Sequence, residues 1–317
     1  MSSTLKLPGL KAAREKENLT QELLAELAGV SERTIQRIEK GHATSQSTAE
    51  AIALKLEKHT LSDLSSDTSG KPVSDSKNGL EIDIAVDPVE GTNFVAKNLS
   101  GGISVLAIAE KNNLFSAPET YMEKIAIGKN IEKGTVDLDF SLEKNLKNLA
   151  DAKNKQLNDL TVCLLNRDRH KKIIDTIDRL KVNKKLISDG DVAGALYVTD
   201  DKFSVDMFIG IGGGPEGVLA ASALDSAKCF FQGRFIFADE NEIKRAKAMG
   251  IHDLQRKYEL NEIISGDTIF SATGITDGDI LKGIVNHEEA YSSETLITHK
   301  SSNTFEIIKK NMETLST

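Results

Sequence analysis

One short stretch of the sequence, residues 82–92, carries side chains whose types and spacing suggest chemistry. Its first five residues form an apolar run typical of a buried strand, and Pro88 lacks the N–H needed to extend that strand. We therefore expect Asp87 at the end of the strand, with Glu90 three residues later. At this spacing the two carboxylates can face one hard cation, such as Mg²⁺ or Mn²⁺.

Gly91 and Thr92 come directly after this acidic pair. Glycine lets the backbone approach a ligand closely, and Thr92 offers a hydroxyl and an N–H, which together suit a phosphate group. The alternative is an acidic turn on the surface in which Thr92 caps the next helix, since acidic pairs are common in turns. Spacing alone leaves both explanations open.

Two later loops place charged groups after an expected strand. Arg167 and Arg169 follow the strand at 161–165 and can hold a phosphate through paired, charge-assisted hydrogen bonds. Asp189 and Asp191 follow the next strand, where their carboxylates can accept hydrogen bonds from sugar hydroxyls. A basic helix start in the first loop and an ordinary helix N-terminus in the second are the alternatives.

A further loop is rich in glycine. Gly212, Gly214 and Gly217 satisfy the G-x-G-x-x-G pattern of dinucleotide-binding folds, and Asp239 ends a strand about 20 residues later. Glu216 argues against a dinucleotide, because its negative charge would lie where a pyrophosphate must bind. The same position suits a carboxylate that binds a cation.

Length and composition indicate a globular protein. The 317 residues suffice for about two domains, and 39% are hydrophobic and 28% charged. Two cysteines, Cys163 and Cys229, fit a reducing compartment, and no apolar run reaches the ~18 residues of a membrane span. Because the N-terminal residues contain no signal-peptide-like stretch, we expect a cytoplasmic protein.

Charge is unevenly distributed along the chain. Residues 1–60 carry nine Lys/Arg and eight Asp/Glu, which leaves 31 and 40 for residues 61–317 out of totals of 40 and 48. The larger part is therefore not expected to bind nucleic acid through bulk charge. Any contact with DNA is expected in the first 60 residues.

Helical periodicity and residues typical of helix ends divide those first residues into short helices. The turn at residues 28–31, Ala-Gly-Val-Ser, has the length and glycine content that a helix-turn-helix requires, and Thr20 and Ser31 lie where N-caps belong. The expected helices are Leu10–Lys16, Gln21–Ala28, Glu32–Glu39 and a fourth that begins near Ser47. The residues expected to share one small core are Leu23, Leu24, Leu27, Val30, Ile35 and Ile38.

Residues 61–79 are rich in Ser, Asp and Gly and are predicted to be a linker between a domain at 1–60 and a domain at 80–317. Strands and helices then alternate, which favours an α/β domain with a largely parallel sheet. The expected strands are 82–86, 103–109, 161–165, 184–187, 204–209, 234–238 and 268–271. The expected helices are 170–180, 191–198, 216–224 and 240–248.

The segment LTQELLAELAGVSERTIQRIEKG resembles the lambda-repressor-like (XRE, Cro/CI-type) helix-turn-helix family over about 50 residues. The resemblance implies that the third helix enters the major groove of DNA. It places Glu32, Arg33, Thr34 and Arg37 towards the bases and Gln21 near a phosphate. A small helical bundle that contacts protein is the alternative, since the segment is almost neutral.

The loops of residues 80–310 together resemble the class II fructose-1,6-bisphosphatases. This family implies a layered αβ sugar-phosphatase fold, a role in gluconeogenesis and two divalent metal ions, Mg²⁺ or Mn²⁺, that activate water against the 1-phosphate. The motifs that carry the resemblance are DPVEGT at 87–92, ISVLAIAEK at 103–111, APETYMEK at 117–124, SDGDVAGAL at 188–196, GIGGGPEGV at 210–218 and FSATGIT at 270–276.

Matching positions carry the family's residue roles onto this chain. The implied metal ligands are Asp87, Glu90 and Glu216, and Thr92 would position or activate the water, so these four are the implied catalytic residues. The implied substrate-binding residues are Glu90, Gly91, Thr92, Tyr121, Arg167, Arg169, Asp189, Asp191 and Gly213. Arg167 stands where the family usually has lysine, and Asp168 stands where it usually has proline.

The family's first ~75 residues supply two further acidic metal ligands, in GRGDK-like and GEGE-like motifs that this chain lacks. A site reduced to three ligands should bind its ions weakly or not at all and lose control of the attacking water.

Three hypotheses follow from the resemblances. The first is a dimeric, DNA-binding transcriptional regulator that senses fructose 1,6-bisphosphate or a related sugar phosphate. The second is an active metal-dependent 1-phosphatase that takes replacement ligands from elsewhere. The third is an interaction protein that associates with a complete bisphosphatase, because loss of the family's first strands leaves apolar sheet uncovered.

Overall fold

The computed structural model describes residues 4–7, 10–16, 19–28, 30–45, 48–49, 52, 56, 81–287 and 290–313. The chain divides into two compact units, residues 1–79 and residues 80–317. The predicted linker, residues 61–79, lies outside the described residues, as does Ser47. The two units are considered separately below.

The first unit is a small helical domain. Its helices are α1 (Leu10–Lys16), α2 (Gln21–Ala28) and α3 (Glu32–Glu39), and the short strands β1 (Thr4–Leu5) and β2 (Thr44–Ser45) pair antiparallel. The Thr20 hydroxyl accepts a hydrogen bond from the N–H of Leu23 at 3.0 Å, and the Ser31 hydroxyl caps α3 in the same way. The helix bounds agree with those expected from the sequence.

One small core holds this unit together, and it differs from the predicted core at one residue. Leu23 is 41% exposed, because the buried face of α2 is formed by its neighbours Leu24 and Ala25. The side chain of Leu27 lies outside the description. The buried residues are Leu7, Leu10, Ala13, Leu24, Ala25, Ile35, Ile38, Ala49, Ile52 and Leu56, with Val30 packed against them.

The second unit contains two six-stranded sheets. The first sheet has the order β10-β9-β5-β8-β6-β7, and its strands are β5 (Tyr121–Ile127), β6 (Thr161–Leu165), β7 (Asn183–Ile187), β8 (Met207–Gly213), β9 (Phe230–Ile236) and β10 (Lys257–Glu259). The second has the order β12-β13-β11-β4-β3, with β14 also paired to β13. Its strands are β3 (Ile82–Glu90), β4 (Ile103–Glu110), β11 (Thr268–Gly274), β12 (Val285–His287), β13 (Ala290–His299) and β14 (Thr304–Glu313).

Helices separate and cover the sheets. They are α4 (Thr92–Ala96), α5 (Leu142–Ala152), α6 (Lys171–Arg179), α7 (Asp191–Leu196), α8 (Gly214–Ser226), α9 (Glu240–Ala248) and α10 (Leu260–Ile263). Helix α8 is buried along almost its whole length and contacts strands of both sheets, so it lies between them. Helices α5 and α6 share a second apolar cluster with the opposite face of the first sheet. The unit is thus a layered αβ fold, as predicted.

The prediction of a largely parallel sheet was wrong. Strand β6 is parallel to β7 and β8, but every other strand pair of the described unit is antiparallel. Parallel neighbours need a crossover, and only the connections through α6 and α7 provide one here. The alternation of strands and helices along the sequence shows that helices lie between successive strands. It does not show which strands become neighbours in the sheet.

The predicted end of β3 before Pro88 was also wrong, because the strand continues to Glu90. Strand β3 lies at the edge of its sheet, where a residue without an N–H can face away from the neighbouring strand. The register with β4 shifts between Asp87 and Glu90, and this irregularity accommodates the proline.

Candidate functional site

The fold brings the sequence-predicted loops to one end of the two sheets. Parallel strands β6, β7 and β8 end at the same edge of the first sheet, so the residues that follow them are neighbours. Tyr121 begins β5 and pairs directly with Gly213 at the end of β8. Glu90, at the end of β3, reaches the start of α7 next to Asp191.

Glu90 is the most deeply buried of the predicted catalytic residues. One of its carboxylate oxygens accepts a hydrogen bond from the N–H of Val192 at 2.7 Å, at the first turn of α7. The negative charge of Asp87, on the same strand, acts on it as well. Burial, followed by the charges of Asp191 and Asp87, raises the pKa of Glu90 to about 8.

Lys124 is a site residue that the sequence reasoning missed. It lies on β5 with only 1% of its surface exposed, and its ammonium donates to Asp191 and, at 2.8 Å, to the carbonyl oxygen of Gly213. Its positive charge also opposes the raised pKa of Glu216. Lys124 therefore partly balances a cluster that otherwise consists of carboxylates.

Two glycines at the end of β8 make room for these carboxylates. A Cβ atom at Gly212 would overlap the carboxylate of Asp191, and one at Gly213 would overlap the carboxylate of Glu216. Glu216 folds back over the start of α8, where burial raises its pKa and the charges of Asp191 and Asp87 add to the effect. The glycine run thus serves the acidic cluster.

The strand directions around the glycine run also argue against the dinucleotide-binding alternative. In a dinucleotide fold the glycine-rich turn lies between parallel strands, whereas β8 has an antiparallel neighbour in β5. The Asp239 carboxylate, which that alternative assigns to a ribose, accepts hydrogen bonds from Asn241 and Glu242 and caps α9.

Asp189 joins two of the predicted loops. Its carboxylate accepts hydrogen bonds at 3.1 Å from both the backbone and the side-chain N–H of Asn93, in the first turn of α4. It also accepts one from a terminal nitrogen of Arg167 at 3.2 Å. The Asp189 carboxylate therefore fixes the start of α4, which Thr92 begins, relative to the arginine loop.

Arg169 and Tyr121 form the exposed side of the site. The Nε of Arg169 donates to the carbonyl of Ile211 at 2.8 Å, and its guanidinium lies 5.0 Å from the centre of the Tyr121 ring. His170 is buried and neutral: its Nδ1 donates to the Leu165 carbonyl at 2.7 Å, and its Nε2 accepts from the N–H of Ile211 at 2.8 Å. Burial lowers the pKa of His170.

Gly91 turns the chain from β3 into α4 with a φ of 77°, a conformation that other residues rarely adopt. A Cβ at this position would also overlap the ring of Phe94. Thr92 is the exposed first residue of α4 and follows two residues after Glu90.

The oxygen atoms of Asp87, Glu90 and Glu216 have the chemistry that a hard divalent cation prefers. In the part of the chain that the structure describes, however, no three His, Cys, Asp or Glu side chains stand close enough together to hold a metal ion. The residues present therefore do not form a ready metal site, and the assignment of these three as ligands stays a prediction.

In the first unit, the third helix presents charged residues to solvent. Glu32, Arg33 and Arg37 are exposed, and the Thr34 hydroxyl lies 2.8 Å from that of Ser31. The Gln21 amide donates to Glu39 at 2.6 Å, so its polar group is held at the end of α3.

Arg14, which the sequence analysis did not single out, also contacts Glu39. Its Nε is 2.7 Å from Glu39, and its Nη1 donates to the Leu19 carbonyl at 2.6 Å. The nearly buried ion pair ties α1 to α3 and, through Glu39, to Gln21.

Among the helices described, none combines the length and the apolar character needed to cross a bilayer.

Comparison with known proteins connects both units to established families. Residues 66–312 match the family model described as bacterial fructose-1,6-bisphosphatase, glpX-encoded, and residues 10–61 match a helix-turn-helix model. Both resemblances seen in the sequence are thereby confirmed.

Several similar curated proteins align with about the same length of this chain. A D-fructose 1,6-bisphosphatase class 2/sedoheptulose 1,7-bisphosphatase of Synechococcus sp. (strain JA-2-3B'a(2-13)) is 40% identical over 242 residues, covering 72% of this chain and 70% of its own. A fructose-1,6-bisphosphatase class 2 of Haemophilus influenzae is 39% identical, covering 72% of both chains. A Gloeobacter violaceus protein with the same description as the first is 38% identical.

Proposed function

Because the chain belongs to the glpX-encoded family of bacterial fructose-1,6-bisphosphatases, we propose that its second unit binds fructose 1,6-bisphosphate or a related sugar phosphate. The first unit binds DNA, and the bound sugar phosphate controls that binding. The protein is then a cytoplasmic, dimeric transcriptional regulator, with residues 61–79 as the linker between its domains at 1–60 and 80–317.

The observation that carries this proposal is that the two arginine side chains suited to an anion are already held in position by hydrogen bonds. Arg169 is anchored through Nε to the Ile211 carbonyl, and within the described part of the chain its two terminal nitrogens form no hydrogen bond or ion pair. A guanidinium that is already fixed loses little conformational freedom when it binds phosphate. Arg167 is held by Asp189 in the neighbouring loop, so both cations are arranged before any ligand arrives.

The remaining substrate residues surround these cations. The N–H groups of Gly91 and Thr92 lie at the start of a helix beside the acidic pair and suit a phosphate oxygen. Tyr121 offers an exposed ring and hydroxyl next to Arg169. Asp191, held by Lys124, and the backbone of Gly213 can accept and donate hydrogen bonds to sugar hydroxyls.

The same proposal includes binding without turnover. In the acidic cluster the ammonium of Lys124 contacts Asp191, and burial raises the pKa of Glu90. No three potential ligands in the described chain are arranged for a metal ion. We therefore derive no catalytic step through a metal, and we propose that catalysis is impaired while the sugar-phosphate contacts are kept.

DNA binding rests on the third helix of the first unit. Arg33 and Arg37 are exposed on α3, where each can reach a guanine edge in the major groove. In a dimer the two recognition helices must match the spacing of two half-sites. A sugar phosphate that favours one dimer arrangement would change the affinity for DNA by its preference for that arrangement.

The experiment is selection of binding sequences from a random DNA pool, followed by fluorescence anisotropy with and without fructose 1,6-bisphosphate. We expect sequence-selective binding whose affinity changes with the sugar phosphate and is lost in Arg33→Ala/Arg37→Ala. Absence of selective binding in both conditions would refute the regulator.

A second candidate function is a metal-dependent fructose-1,6-bisphosphate 1-phosphatase of gluconeogenesis. It is favoured by the retention of Asp87, Glu90, Thr92 and Glu216. It is also favoured by the raised pKa of the Glu90 carboxyl, since a bound Mg²⁺ or Mn²⁺ would offset the burial and the neighbouring negative charges that raise it. Phosphate release from fructose 1,6-bisphosphate with either metal, absent in Glu216→Gln, would establish this activity. Equal release by both proteins would trace the activity to a contaminant.

A further inference from the structure

The sugar-phosphate site has a basic end and an acidic end. At the basic end, the Arg169 guanidinium lies 5.0 Å from the centre of the Tyr121 ring, and Arg167 is held by Asp189 at 3.2 Å. The acidic end contains four carboxylates, which belong to Asp87, Glu90, Asp191 and Glu216. A ligand that spans the site must therefore suit surroundings of opposite charge at its two ends.

Strand β8 connects the two ends over a short distance. Arg169 donates from Nε to the carbonyl of Ile211 at 2.8 Å. Two residues later, the Glu216 carboxylate fills the space beside Gly213 that a Cβ atom would take. Successive residues of a strand are about 3.3 Å apart, so these two contact points on β8 are separated by about 7 Å. A single small ligand bound by Arg169 therefore reaches the acidic end.

The cation described at the acidic end, Lys124, is not available to a ligand. It is 1% exposed, and its ammonium is already hydrogen-bonded to a carboxylate and to a backbone carbonyl. In the described ranges, no lysine or arginine forms an ion pair with Asp87, Glu90 or Glu216. Carboxylates outnumber the one ammonium even when Glu90 carries a proton, so the acidic end keeps a net negative charge.

A divalent cation would normally offset such a charge and let a phosphate approach. The described carboxylates, however, contain no group of three arranged to hold a metal ion. The acidic end must therefore be matched by the chemistry of the ligand itself.

A phosphate and a hydroxyl behave oppositely beside carboxylates. A phosphate monoester carries a charge of about −1.5 to −2 at pH 7 and is chiefly a hydrogen-bond acceptor, so carboxylates repel it and donate nothing to it. A sugar hydroxyl is uncharged and can donate a hydrogen bond to a carboxylate oxygen. The acidic end therefore suits hydroxyl groups, and the basic end suits a phosphate.

We propose that this site prefers a sugar monophosphate to a sugar bisphosphate, with the phosphate bound by Arg169 and the hydroxyl groups of the sugar at the acidic end. The inference rests on the proposed function and names the class of ligand that the site selects. A bisphosphate still binds through one phosphate at Arg169, but its second phosphate faces the carboxylates and lowers the affinity. The signal that controls DNA binding is then the level of the monophosphate.

The test is isothermal titration calorimetry of the full-length protein in EDTA, with fructose 6-phosphate and fructose 1,6-bisphosphate as separate ligands. The two ligands differ only in that the first has a hydroxyl where the second has its 1-phosphate. We expect the dissociation constant of fructose 6-phosphate to be at least tenfold lower than that of the bisphosphate. Arg169→Met should weaken the binding of both ligands, because each uses this arginine for a phosphate.

A charge variant separates repulsion from a simple lack of space. Glu216→Gln removes one negative charge at nearly constant shape, so the ratio of the two dissociation constants should fall at least threefold. Glu306→Gln is the matched control, since it removes an exposed carboxylate on β14 and should leave the ratio unchanged. If the bisphosphate were excluded by its size alone, the ratio would stay the same in Glu216→Gln.

The outcomes distinguish this inference from the proposed function. Equal or tighter binding of the bisphosphate by wild type overturns the preference and leaves sugar-phosphate binding intact. A preference that Glu216→Gln does not reduce overturns its electrostatic origin, and with it the inference. Binding of neither ligand overturns the proposed function together with the inference that rests on it.

Discussion

The contact between Lys124 and Asp191 makes a quantitative prediction about the stability of the second unit. Lys124 is 1% exposed and Asp191 is nearly buried, and the lysine also donates to the Gly213 carbonyl. Lys124→Met keeps the apolar stem of the side chain but removes two hydrogen bonds and, among the described residues, the only cation that contacts Asp191. Breaking a buried ion pair from one side costs about 3–5 kcal/mol, because the other charge stays buried without a partner.

The pairwise nature of this cost can be tested with a double-mutant cycle. Asp191→Asn added to Lys124→Met removes the unpaired charge, so the double variant should recover roughly half of the lost stability or more. The measurement is the free energy of unfolding from urea denaturation followed by circular dichroism. Lys111→Met is the matched control, since Lys111 forms an ion pair of 2.7 Å with Glu81 on the open surface and should unfold like wild type.

Two results would refute this reasoning. If Lys124→Met loses less than about 1 kcal/mol, the buried contact does not balance the acidic cluster as described. If the losses of the two single variants simply add in the double variant, the two residues do not act as a pair.

Three further predictions concern other parts of the molecule. The pKa of His170 is lowered by burial, so its contribution to stability is complete above the unfolded value of about 6.5 and is lost as pH falls below it. Wild type should therefore lose unfolding free energy relative to His170→Gln by up to ~1.4 kcal/mol per pH unit below pH 6.5, and parallel pH profiles would contradict this. Gly213→Ala should displace Glu216 and weaken sugar-phosphate binding at least tenfold in calorimetry. Gly134→Ala, where φ is 90° and an added Cβ would meet no atom within 4 Å, should strain only its own turn and leave binding unchanged; equal affinities of the two variants would show that the carboxylate's position is irrelevant. Leu24→Ala should destabilise the first unit by about 2–5 kcal/mol in thermal unfolding, and Leu23→Ala by far less; similar losses would contradict the assigned core.

Local signals explain which elements were predictable. The helices of the first unit were placed correctly because Thr20, Ser31 and the turn between them are punctuation that acts within a few residues. Leu23 was misassigned because helical periodicity does not decide between two adjacent leucines at the margin of the buried face. That choice depends on how α2 packs against α3.

Strand partners could not be predicted, because they depend on residues far apart in sequence. Pro88 looked like the end of a strand, but it is tolerated where β3 has no neighbour on its outer side. The strand expected at 204–209 in fact spans Met207–Gly213, so the glycines belong to the strand and leave room for distant carboxylates. The hairpin of β13 and β14 was not predicted at all.

In the site, too, local features could be predicted from the sequence, whereas contacts between distant residues could not. Its loops were recognisable because charged groups follow strands, but Lys124 lies inside an apolar strand and its partner Asp191 comes 67 residues later. A lysine among Met122, Ile125 and Ala126 was the available signal, since lysine is almost never fully buried unless it is paired. The partner itself could be found only in the folded chain.

The central claim is that the second unit holds a sugar bisphosphate at the site formed by Arg169 and its neighbours. The most direct measurement is isothermal titration calorimetry of fructose 1,6-bisphosphate into the full-length protein, with EDTA present to prevent metal-dependent turnover. We predict saturable binding with one ligand per chain, weakened at least tenfold in Arg169→Met and unchanged in Lys309→Met, which removes an exposed cation on β14. No binding by wild type, or equal binding by wild type and Arg169→Met, would contradict the account.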